Sequence, residues 1–541
     1  MSSRLIAAAA VCGLAGSFVL AQTAGATASQ PDHSTNSVHG LLQPGHLVLS
    51  RTEYTIPAST ITPGVTVLPG CTLGTVGDPN CTAVSDAGYP EVFNNEAYDA
   101  SFGITTPIYL DSITPSGNTM GTLPIPTDAS GDHLVTSFPS KSELGLNLST
   151  AGNALTFMGY VAPVGALDVS NSNTPAVVDP TNPVKSSSYR AVAELLPNGS
   201  MSFTETNAYS GNNGRAAILD SADNEFFMSG NAGNGGNPQP GGVVAGAGSQ
   251  MATPSALPEV QQQPGLPTPA GSFSITQLGL KADKVGKDTN FRGLTIHDNV
   301  VYLTKGSGGN GINTLYYIDT TGSCHNGVGI PDAGAPLPTA ALNYDLGTVA
   351  TTGVKPFNMC ILKGFPTTLA KTSTAFPFGV WFANSTTVYV ADEGSGANTY
   401  DAATNTYTAA SAQTGAGLQK WVLSNGSWHL AYTLQDGLNL GAPYSVPGYP
   451  TGDNSATGLP WAPATDGLRN ITGEVNGDGT VTIWGITSTV SGATDQGADP
   501  NRLVRLTDSL AASSGAGESF KTLRTATTGE ALRGIAYVPG N

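Results

Sequence analysis

Arginine has the most regular spacing of any residue type in this sequence that could do chemistry. Nine arginines lie beyond residue 28, and four head similar apolar phrases: Gly214-Arg215-Ala216, Phe291-Arg292-Gly293, Leu468-Arg469-Asn470 and Leu532-Arg533-Gly534. In two further phrases the matching place holds Phe378 and Ser142, the latter flanked by Lys141 and Glu143. A guanidinium offers a planar fork of donors, which suits two jobs. Arg215, Arg292, Arg469 and Arg533 either tie neighbouring units together through carboxylates and carbonyls, or converge on an anionic ligand such as a carboxylate or phosphate.

Other chemistry is sparser. Asn476-Gly-Asp-Gly-Thr480 has the start of a calcium loop, but Thr487 stands where the twelfth-position acid belongs, so a tight turn is the better reading. Weak calcium candidates are Asp392 and Glu393, with Glu96 and Asp99 as further loop acids. The seven histidines show no zinc spacing. No Gly-x-Ser-x-Gly elbow, nucleotide-binding loop or redox cysteine pair is present. Catalytic residues are therefore not assignable from motifs.

These residues need elements to position them. With 68 Gly, 37 Pro and 11% charged residues in 541, the chain is no coiled coil or helical bundle. Many strands joined by many turns are expected. The clearest unit has strands at 379–383, 388–392, 418–423 and 428–433, with hairpins at Asn384-Ser-Thr386 and Ser424-Asn-Gly426. Similar four-strand phrases start near 144, 216, 293 and 470. In the phrase from 216, the third and fourth strands are expected at 242–247 and 272–278. One strand is left over at the C-terminus, Arg533–Val538, and three at the N-terminus: His46–Ser50, Ile108–Asp111 and Met120–Pro124. One plus three completes a ring, which is how a β-propeller removes its open edges. The expected fold is all-β, a six-bladed β-propeller over 41–541, with seven blades or a pair of β-sandwiches as alternatives.

Within that frame, Val388-Tyr-Val-Ala-Asp392 resembles the second-strand phrase of NHL-type propellers. The chain as a whole is similar to exported bacterial propellers of the NHL-like and TolB-like group. This resemblance implies a fold and transfers no catalytic residue.

Arg4, the apolar run Leu5–Ala21 and the small residues up to Ala28 have the layout of a secretory signal peptide, with cleavage expected near Ala28 and a flexible stretch over 29–40. A membrane anchor is the alternative for this segment. No other stretch reaches spanning length, so the mature chain is expected to be secreted or periplasmic, without a membrane span. Beyond residue 28 stand four cysteines, for which sequence proximity favours disulfides Cys71–Cys81 and Cys324–Cys360. A formal charge of −17 argues against nucleic acid as a partner. Long insertions at 55–105, 162–188, 398–416 and 437–466 fall on one face, and a Pro-rich stretch over 253–271 reads as a spacer. The expected function is binding of a small anionic ligand, an extracellular protein or a glycan on the loop-rich face. The alternative is a propeller hydrolase or lactonase with calcium at the channel mouth, and a quinone-dependent dehydrogenase is a third class.

Overall fold

The computed structural model describes residues 40–55, 61–62, 65–66, 103–128, 133–175, 187–231, 247–254, 269–281, 288–340, 342, 357–455, 457–493 and 496–540, all within the unit Val38–Asn541. The signal-like segment, Glu96, Asp99 and the Cys71–Cys81 pairing lie outside the described residues.

Among the described residues the fold is all-β with a propeller-like arrangement of antiparallel sheets. The C-terminal strand Glu530–Tyr537 pairs with Leu47–Glu53, which pairs with Thr105–Ile113, which pairs with Thr119–Pro124. This is the one-plus-three closure that the strand arithmetic requires. A second set runs Asn147–Leu148, Leu155–Tyr160, Arg190–Leu195 and Met201–Thr206. The short strand Val135–Ser137 hydrogen-bonds to both sets and fuses them into one nine-stranded sheet.

Besides the two-stranded sheet of Tyr400–Asp401 and Thr406–Tyr407, four larger sheets follow in chain order. One holds Gly214–Asp220, Glu225–Gly230, Ser249–Ala252 and Pro269–Gly271. The next holds Leu294–His297, Val300–Lys305, Thr314–Ile318 and Met359–Leu362, with Val328–Gly329 added in parallel. Then come Pro377–Asn384, Thr387–Asp392, Gly417–Ser424 and Ser427–Leu434. The last holds Ala464–Val475, Thr480–Val490, Arg502–Ser509 and Lys521–Thr525.

One strand position differs from the sequence reading. The third strand after Gly214 is described at Ser249–Ala252, and residues 242–246 of its expected range lie outside the described residues. The fourth is Pro269–Gly271, and Ile275–Leu278 coils into a 3-10 turn capped by Ser274, whose hydroxyl accepts from the Thr276 amide. The Ser274 start and Gly279 finish are helix-capping chemistry, and they override the apolar content of 272–278.

Cys324 and Cys360 are joined, with Cα atoms 5.9 Å apart. The bond ties the turn after Thr314–Ile318 to the neighbouring strand Met359–Leu362 across 36 residues of chain. No helix among the described residues is long and apolar enough to cross a membrane.

The first strands of the sets lie against one another through a register that needs small residues. A Cβ on Gly293 would come within 2.1 Å of the Phe378 carbonyl, on Gly379 within 2.5 Å of the Arg469 carbonyl, and on Gly534 within 2.2 Å of the Leu144 carbonyl. Gly145 donates its amide to the Arg215 carbonyl at 3.1 Å. Asn470 donates from its side chain to the Arg533 carbonyl at 2.9 Å. The residue before each contact is therefore the repeated position: Leu144, Arg215, Arg292, Phe378, Arg469 and Arg533. Leu144, not Ser142, is the equivalent of the arginines in its set. Its φ of 59° and the two-residue strand that follows explain why the sequence hid this.

Candidate functional site

All four arginines stand at that shared register, and all are buried. Arg215 donates to the Phe291 carbonyl at 2.7 Å and to the Asn290 side chain. Arg533 donates to the Phe138 carbonyl. These two tie one strand to the next segment of backbone around the ring.

Arg292 and Arg469 instead meet at a carboxylate. Glu393 follows the strand Thr387–Asp392, and its Oε2 lies 3.2 Å from Arg469 Nε and 3.4 Å from Lys141 Nζ, while its Oε1 lies 3.7 Å from Arg292 Nη1. Arg292 also donates to Ser307 Oγ at 3.0 Å and sits over the Phe378 ring. The Glu393 and Arg469 side chains are 3% and 5% exposed, whereas Lys141 is 38% exposed, so the cluster opens to water at Lys141. Burial would push the Glu393 carboxyl up, but Lys141, Arg292 and Arg469 outweigh it and hold it at about 2. Glu393 draws Lys141 toward its charged form, yet the two guanidiniums and the partial desolvation of an ammonium that faces Glu393, on a side chain still 38% exposed, leave it below the usual lysine range.

Two more carboxyls fasten the chain that leaves Glu393. Asp392 accepts the Phe376 amide at 2.7 Å and the Gly394 amide at 3.0 Å; Asp466 accepts the Gly396 amide at 2.7 Å and the Gln413 side chain at 2.6 Å. Burial pushes Asp392 up to about 7 and Asp466 up to about 6, against the pull of those donors. Gly394 adopts φ 80° against Asp466, and a Cβ there would meet the carboxylate at 2.4 Å.

This donor set suits an anion better than calcium. Glu393 is already matched by three cations, and the oxygens of Asp392 and Asp466 are committed to N–H donors. A calcium ion would need oxygens whose charge is unmatched. Among the described residues the one three-donor grouping is Asp319, Cys324 and Cys360, where the cysteines are bonded to each other and Asp319 accepts the amides of residues 321–324.

Lys141, Asp392, Glu393, Arg292 and Arg469 thus come together, while Arg215 and Arg533 serve neighbouring strand contacts. Sequence reasoning missed Asp466 and the role of Lys141. A signal for Asp466 exists in the shared spacing of Asp466-Gly-Leu-Arg469 and Glu530-Ala-Leu-Arg533, an acid three residues before a ring arginine.

No family model matches the chain, and no curated protein matches it. Among solved structures it is similar to a protein from Lactobacillus plantarum at 11% identity, over 80% of this chain and 97% of that one, with a TM-score of 0.29. It is similar to a PL25 ulvan lyase at 11% identity, over 83% and 96%, with a TM-score of 0.26. It is also similar to an ACO/RPE65 chimera at 11% identity, over 92% and 93%, with a TM-score of 0.27. At TM-scores this low the three likenesses carry no argument about the fold or the site of this chain.

Proposed function

We propose that this chain is a six-bladed β-propeller that binds a small anion on its loop-rich face, at the axial mouth around Glu393. The blade count rests on dividing the nine-stranded sheet at Val135–Ser137. It is supported by the contacts of the first strands, which run from Asn147–Leu148 through Gly214–Asp220, Leu294–His297, Pro377–Asn384 and Ala464–Val475 to Glu530–Tyr537 and back. The shared register at Leu144, Arg215, Arg292, Phe378, Arg469 and Arg533 supports it independently.

One observation carries the binding reading. In a chain of net charge −17, three cationic groups face a single strongly ionised carboxylate, and one of them, Lys141, is open to solvent. A local surplus of positive charge in a partly dry site favours an incoming anion. Lys141 then supplies the mobile donor, and Arg469 and Arg292 the fixed field beneath it. Export through the signal-like segment fits a ligand met outside the cytoplasm, and the Cys324–Cys360 disulfide fits the same compartment.

The test is thermal unfolding in chloride, phosphate and citrate at fixed ionic strength. A ligand that binds only the folded state raises the melting temperature with concentration. Phosphate or citrate is expected to do so in the native chain, and Lys141→Gln to remove the rise. Equal melting temperatures in all three salts would refute the reading.

A further inference from the structure

Three residues beyond each ring position, the first strands surround a second feature. Asn147, Ile218, Thr295, Trp381, Thr472 and Ala536 each follow their ring residue by three, and all six line one cavity of about 270 Å³. Three residues of strand carry the chain about 10 Å along its direction, so this cavity is separate from the Glu393 cluster. Its character is also different. Tyr537 is the one ionisable side chain in the lining, and burial pushes its phenol up to about 12, so the walls are uncharged at neutral pH.

Trp381 gives the cavity a rigid aromatic wall. One side of its indole is packed on Gly473, where a Cβ would come within 2.8 Å of the ring carbons, and Tyr389 lies 5.9 Å away, centroid to centroid. The side chain is only half-buried. Among the described residues its Nε1–H has no protein acceptor, and the atom is not fully buried. Thr295 lines the cavity from another strand, Leu294–His297, and Ile535 adds apolar surface.

We propose that this cavity binds one neutral pyranose ring, as a free sugar or as the end of a glycan. The lining asks for a ligand without charge, with apolar faces and polar edges. Stacked on Trp381, a pyranose presents its C–H face to the indole, and its ring-edge hydroxyls to Thr295 and to Asn147 Oδ1, whose amide nitrogen donates to the Ala217 carbonyl at 3.0 Å. The volume lies just under the range of about 300–1,000 Å³ typical of ligand pockets, which limits the occupant to a single ring. The site is independent of the anion site and of the reading built on it.

The experiment is titration of the full chain with the methyl pyranosides of glucose, galactose and mannose and with N-acetylglucosamine. Tryptophan emission and isothermal titration calorimetry are the readouts. At least one sugar is expected to give a saturable signal, which Trp381→Ala abolishes. Thr295→Val is expected to weaken binding about tenfold, the factor for roughly 1.4 kcal/mol. If Trp381→Ala does not fold, Thr295→Lys fills the cavity from another strand and is expected to block binding. No saturable signal from any of the four sugars, or binding that survives Thr295→Lys, would overturn the proposal. So would saturation by phosphate in place of sugar.

Discussion

Replacing Glu393 with glutamine removes one negative charge and leaves Arg292, Arg469 and Lys141 facing an amide. The carboxyl is held at about 2 against an ordinary 4.5. Each pKa unit corresponds to about 1.4 kcal/mol, so the charged form contributes about 3 kcal/mol at pH 7. That matches the cost of about 3–5 kcal/mol for breaking a buried ion pair. With about 2.1 cal/mol/K of unfolding entropy per residue, 3 kcal/mol shifts the melting temperature of a chain this long by about 3 °C. The sign follows from linkage. A depressed carboxyl gives stability that is fully present above pH 4.5 and lost as the pH falls through 2. The difference between native and Glu393→Gln should therefore shrink to about 1 kcal/mol at pH 3. Urea denaturation at pH 7, 5, 4 and 3 measures it. Phosphate should narrow the gap at pH 7, because an anion can take the place of the missing carboxylate. A difference that is absent at pH 7, or equal at pH 7 and pH 3, would refute the electrostatic account of this cluster.

Asp392, Asp466 and Asp499 are raised to about 7, 6 and 6, so the folded chain holds protons there that the unfolded chain releases near pH 4. Stability from these groups is expected to fall as pH rises from 4 to 7, and Asp466→Asn should flatten that slope in a pH series of melts. Asp111 accepts from Arg51 at 2.8 Å and Arg524 at 2.6 Å, joining the N-terminal strands to Lys521–Thr525. Asp111→Ala removes the carboxylate these two guanidiniums share but leaves Arg51 on Glu53 and Glu530 and Arg524 on Glu530, so it should cost about 1.5–3 kcal/mol in chemical denaturation. Replacing Cys324 and Cys360 together by serine lengthens the unconstrained chain by a 36-residue loop. It should cost about 3–4 kcal/mol, and dithiothreitol should lower the melting temperature of the native chain by more than that of the variant.

The closure of the fold was legible because it depends on hydrogen-bonding arithmetic: an unpaired C-terminal strand and three N-terminal strands must find each other. The arginine register was legible for a related reason. A small residue must follow the ring position wherever the next carbonyl approaches, so Arg292-Gly293 and Arg533-Gly534 leave a visible mark. Leu144 leaves none, since its left-handed φ breaks the strand phrase before Asn147. The division of labour among the arginines was not legible at all. Whether a guanidinium meets Glu393 or the Phe138 carbonyl is decided by loops that come from elsewhere in the chain. The same holds for Asp392 and Asp466, whose raised carboxyls result from burial under the Gly394–Gly396 segment.

Anion binding at the axial mouth is tested most directly by anomalous diffraction from crystals soaked in selenate or tungstate. A peak within hydrogen-bonding reach of Lys141 Nζ and beside Arg469, absent in Lys141→Gln crystals, is the predicted result. Anomalous peaks confined to other surfaces, with the Glu393 cluster empty and unchanged at saturating anion, would contradict it.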